Sequence, residues 1–100
     1  MEKYFNKLGA PKALASDFAW IVSCAELNAE YGYGVSELFN SNACVRDLVR
    51  YYGLDKIKPV IDALGYIGWA ICSEDDSEIK KAKKEFEKVF KVWNESLKSE

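Results

Sequence analysis

The spacing of apolar residues in the last quarter of the chain constrains the fold more than any other feature. Ile79, Ala82, Phe86, Val89, Phe90, Trp93 and Leu97 recur every three or four residues, the interval that returns a side chain to one side of an α-helix. The same interval runs through Leu14, Phe18, Ile21, Val22, Ala25 and Ala29, then through Leu38, Val45, Leu48, Val49 and Tyr52. It returns in Ile57, Val60, Ile61, Leu64, Gly68 and Ile71. No alternating run bounded by hairpin-turn residues competes with it. The pattern predicts an all-α fold of four principal helices, a compact four-helix bundle-like or orthogonal helical domain. A chain of 100 residues suits one core, so a single helical domain over residues 1–100 is expected.

Punctuation sets the helix limits. Breaks are predicted at Gly9-Ala10-Pro11, Tyr31-Gly32-Tyr33-Gly34, Gly53-Leu54-Asp55 and residues 73–77, where glycine, proline and cap-forming residues gather. Glu2 to Leu8 reads as an additional helical turn. The first long helix begins near Pro11 and carries a second apolar stripe, Trp20, Cys24, Leu27 and Tyr31. An arc that wide predicts a helix packed on several sides, the central one. Asn40-Ser41-Asn42 is a site where the next helix can break and restart. Gly53 suits a C-cap, and Asp55 is expected to cap the helix that follows, with Pro59 near its first turn. Gly65, Gly68 and Cys72 form a small-residue flank that would admit a neighbouring backbone. Each helical glycine costs about 1 kcal/mol against alanine, so close packing must offset it. Asp75 and Glu78 have capping-box spacing.

Several chemistries are disfavoured. The chain has no histidine, which removes imidazole bases, Ser–His and Cys–His pairs and the commonest zinc ligand. No catalytic residue, cofactor or metal site is expected. Glu74, Asp75, Asp76 and Glu78 cluster without the glycine and distal glutamate of a calcium loop. The Tyr-Gly-Tyr-Gly segment lacks the lysine and preceding strand of a phosphate loop. Cys24, Cys44 and Cys72, odd in number and widely spaced, read as reduced and mostly buried thiols of a cytoplasmic protein. Asp17 interrupts the N-terminal apolar run, so no secretory signal is expected. The longest apolar segment, residues 59–72, falls short of the roughly 20 residues that span a bilayer. Asp17 and Asn28 lie within the wide apolar arc and are weighed as a buried polar pair, with Asp17 equally suited to cap a late-starting helix.

What remains is surface. Tyr66 and Trp69 lie opposite Leu64 and Ile71, and Tyr33 sits in a loop; exposed aromatics of this kind anchor protein interfaces. The plainer alternative is that their helix is buried on both sides. Lys80, Lys84 and Lys91 share a narrow arc of the last helix and are read as partner contacts, although Glu87 and Glu95 interleave with them as on a solvated face. The expected function is a small non-enzymatic protein–protein interaction module of the inhibitor, immunity or accessory-subunit type, binding a larger protein. The alternative is a nucleic-acid-associated accessory protein using the lysines, which the net charge of −2 disfavours. A ligand pocket lined by Trp20, Tyr31 or Trp93 is a third option, and a homodimer is compatible with the apolar surplus. No family motif is recognised.

Overall fold

The computed structural model describes residues 1–98. Within them the chain is all-α: α1 (Glu2–Lys7), α2 (Lys12–Glu30), α3 (Ser36–Ser41), α4 (Ala43–Tyr52), α5 (Leu54–Cys72) and α6 (Asp76–Lys98). None of these helices is long and apolar enough to cross a membrane.

The central helix is α5, packed against α2, α4 and α6. Ile57, Val60, Ile61, Ala63, Leu64, Ile67 and Ala70 are buried around most of its circumference. This corrects the expectation that α2 is central. Only one stripe of α2 is inside, running from Ala15 and Phe18 through Ile21 and Val22 to Ala25. Trp20, Leu27 and Tyr31 of its second stripe stand 52–72 % exposed. Ser16, Ser23 and Glu30 recur beside them every seven residues, all exposed, which marks that side as wet.

The N-terminal turn is a short helix, too short to persist alone. It is held by Phe5, fully buried between Phe18 and Phe86 at ring-centroid distances of 5.5 and 5.1 Å. Phe18 also meets Phe86 and Phe90 at 5.8 and 6.0 Å. All four contacts are edge-to-face, the arrangement that ring quadrupoles favour. The Tyr4 hydroxyl donates to Glu87 at 2.7 Å and ties α1 to α6.

Asn42 does break the second predicted helix into α3 and α4. Its backbone is extended, and its buried side chain accepts from the Val45 N–H at 3.0 Å, an N-cap in which the side-chain oxygen replaces a missing helical acceptor. Gly53 ends α4 at φ +93°, a conformation glycine adopts without a Cβ penalty. Asp55 does not cap α5. Gly53 holds the cap position, leaving Asp55 in the first turn, where its charge still suits the helix dipole. Pro59 lies deeper in the helix than expected, on its exposed side.

The small-residue flank of α5 is where α2 crosses it. A Cβ on Gly68 would lie 2.5 Å from the Ala25 Cβ and 2.8 Å from both the Glu26 nitrogen and the Val22 carbonyl oxygen. A Cβ on Gly65 would lie 2.8 Å from both methyls of Val35. Two helices approach this closely only where one lacks side chains, which offsets the glycines' poor helix propensity. At the start of α6, Asp75 Oδ1 accepts from the Ser77 and Glu78 N–H groups at 3.0 and 3.2 Å. The reciprocal half of the predicted capping box is replaced: the Glu78 carboxylate accepts from the Tyr66 hydroxyl at 2.8 Å.

Candidate functional site

The α2–α5 crossing shapes a crevice on the surface. At the end of α2 the Gly32 N–H donates to the Ala29 carbonyl at 3.0 Å and the Tyr33 N–H to the Asn28 carbonyl at 2.8 Å, with Gly32 at φ +83°. This is a Schellman closure. It turns the chain back so that Tyr33, Gly34 and Val35 lie against α5. The Tyr-Gly-Tyr-Gly segment is thus a helix terminator.

The crevice has a volume of about 180 Å³. Ala25 and Ala29 line it from α2, Val35 and Leu38 from the next segment, and Tyr33, Tyr66 and Trp69 complete it. Tyr33 is 59 % and Trp69 49 % exposed. Tyr66 is half-buried, its ring 6.0 Å from that of Trp69. The hydrogen bond to Glu78 raises the Tyr66 hydroxyl above the ordinary phenol range, with burial and the charges of Glu78 and Glu85 adding to it. A carboxylate acceptor favours the protonated phenol, so Tyr66 is held as a neutral donor.

Three of the six predicted partner-binding residues, Tyr33, Tyr66 and Trp69, therefore meet at one place. Lys80, Lys84 and Lys91 do not join them. They are exposed on α6, roughly 130° round the helix from Glu78 and Glu85 by helical geometry. Sequence reasoning missed Val35, Ala25 and Ala29 as crevice walls, because their role depends on which helix crosses the glycine flank.

The other residues that the sequence singles out lie elsewhere. Cys24, Cys44 and Cys72 are free and half-exposed, not mostly buried; Cys24 and Cys44 pack against the edge of the core. Burial pushes the Cys24 thiol up, opposed by a hydrogen bond with Asn42. Burial and the charges of Asp17 and Asp47 push up that of Cys44, so neither is a ready thiolate at neutral pH. Asp17 accepts a weak bond from the Cys44 thiol at 3.9 Å. It cannot pair with Asn28, about 16 Å further along the same helix. Trp93 is buried against Phe90 and Tyr52, while Trp20 and Tyr31 face outward, so these three do not build one pocket. A shallow groove of about 450 Å³ between α5 and α6 is lined instead by Pro59, Val89, Val92 and Trp93 with Lys56 and Lys88. Among the described residues, no three carboxylates or thiols converge as a metal site would require. Comparison with known protein families, curated protein sequences and solved structures finds no match to this chain.

Proposed function

We propose that this protein is a non-enzymatic interaction module that docks a larger protein at the Tyr33–Tyr66–Trp69 crevice. The observation that carries this reading is the convergence of Tyr33, from the turn after α2, with Tyr66 and Trp69, one helical turn apart on α5, around one preformed apolar notch. Interface hot spots are built this way: rigid rings surround a pocket that takes one anchor side chain. Size favours a protein partner over a small molecule. Ligand pockets usually enclose roughly 300–1,000 Å³, whereas this crevice of about 180 Å³ has room for one large side chain. The nearby titratable groups, a neutral phenol and a carboxylate bonded to it, offer recognition and no nucleophile. Free, half-exposed cysteines suit a reducing compartment such as the cytoplasm.

The test is capture of the partner from the native host with wild-type protein and with Trp69→Ala. Retention is expected to fall about tenfold or more, as for a typical interface anchor, with an unchanged helical circular dichroism spectrum. Full retention by a folded Trp69→Ala protein would refute the crevice.

The outward placement of Lys80, Lys84 and Lys91 on a separate flank supports a second reading, contact with nucleic-acid phosphates. That binding would weaken steeply with added salt and would be indifferent to Trp69→Ala.

A further inference from the structure

The charge around the crevice is one-sided. Residues 13–45 contain Asp17, Glu26, Glu30 and Glu37 and no lysine or arginine; residues 59–79 contain Asp62, Glu74, Asp75, Asp76 and Glu78 and again none. These two stretches build the crevice, the first through α2, its terminating turn and α3, the second through the later part of α5 and the turn into α6. All 14 bases of the chain fall outside them. Glu26 borders the glycine seam, its backbone nitrogen 2.8 Å from where a Gly68 Cβ would stand, and Trp69 is the next residue along α5. Glu78 is bonded to Tyr66. Glu37 precedes the lining residue Leu38. Two bases temper this field: Lys58 pairs with Asp62 at 2.8 Å, and Lys81 stands one helical turn from Glu78.

Given the crevice reading above, on which this rests, we infer that the occupant is a basic segment of a partner protein: one large apolar side chain seated between Tyr33 and Trp69, with lysine or arginine on either side facing Glu26, Glu37 and Glu78. The pairing is physically consistent at both levels. A negative rim speeds encounter with a positive segment and repels an acidic one. The open faces of Trp69 and Tyr33 also attract cations, arginine above all, because the guanidinium stacks on a ring while keeping its hydrogen bonds. Nucleic acid and anionic lipid are repelled from this face.

The intact chain, immobilised, is panned against a random-peptide display library, and a synthetic copy of the most enriched peptide is titrated against variants. The expected peptides carry an aromatic or large aliphatic residue flanked by lysine or arginine. Their affinity falls about tenfold or more with Trp69→Ala and by a similar factor with Glu26→Lys plus Glu37→Lys, and it declines with salt. Tyr33→Ala, on a turn outside the helices, reports on the same crevice if Trp69→Ala disturbs α5. Peptides that need Trp69 but have acidic or neutral flanks, and ignore the charge reversals, overturn the basic partner and leave the crevice standing. Peptides indifferent to both Trp69→Ala and Tyr33→Ala, but weakened by Trp20→Ala, move binding to the outer stripe of α2 and overturn both readings. A library that yields no enriched peptide overturns the inference. So does a dimer in sedimentation velocity that dissociates with Trp69→Ala, because the occupant is then a second copy of the chain.

Discussion

Along α2 the core is closed in two opposite ways. In its first half, Phe18 meets Phe5, Phe86 and Phe90, and whole rings fill the space between α1, α2 and α6. In its second half, Val22 and Ala25 meet α5 at Gly68, where no side chain stands between them, and the backbones draw together. The difference explains the surface. Where rings can enter, they are consumed by the core. Where the backbones touch, no room is left for one, and Tyr33, Tyr66 and Trp69 remain around the rim of the contact. The crevice is a by-product of a tight seam.

The ring end should be the more costly to damage. Phe86→Ala removes a fully buried ring with three aromatic neighbours. It is expected to lower unfolding free energy by about 3–5 kcal/mol, read by urea denaturation; a loss below about 1 kcal/mol would mean that the cluster does not hold α1 and α6.

The seam gives a smaller and more discriminating test. Gly68→Ala gains about 1 kcal/mol of helix propensity, yet its new methyl meets backbone atoms of α2 that cannot turn aside. A net loss of about 1–3 kcal/mol is expected. Gly65→Ala meets the two methyls of Val35 at 2.8 Å and its Cβ at 3.3 Å, side-chain atoms of a half-buried residue in the segment that leads into α3. It should cost less than Gly68→Ala because that segment can shift where the α2 backbone cannot. Equal tolerance of the two substitutions would break the distinction drawn here.

The smallest effect lies at the α1–α6 link. Burial, then the hydrogen bond to Glu87 and its charge, raises the Tyr4 hydroxyl well above its ordinary value of 10.0. A group raised in the folded state contributes fully below the unfolded pKa and loses that contribution as pH climbs past it. The stability difference between wild type and Tyr4→Phe should therefore be constant below about pH 10 and shrink above it. Because Tyr4 is partly solvated, the change should be roughly half a kcal/mol or less. A difference that grows with alkaline pH would reverse the sign and refute the neutral-donor assignment.

Much of the helical layout was legible in the residues. Asn42 as a break, Gly53 as a terminator, Asp75 as a cap and the small flank of α5 all act through groups within a turn or two of themselves, or through what a missing Cβ permits. The errors share one cause. Trp20, Leu27 and Tyr31 are as apolar as the stripe beside them, and hydrophobicity does not say which stripe will find a neighbour; Ser16, Ser23 and Glu30 were the readable warning. Glu78 has the right spacing to cap its own helix, but Tyr66, distant in sequence, reaches it instead.

Taken alone, the sequence determined the helical class, the main breaks and the two base-free stretches, because period, capping and charge are properties of neighbours along a chain. The tertiary structure decided that α5 lies at the centre, that Tyr33, Tyr66 and Trp69 share one crevice, and that both acidic stretches border it. Those outcomes depend on where α2 crosses α5. Steric room at Gly68 sets that crossing, and such room has meaning only once a second helix arrives to use it.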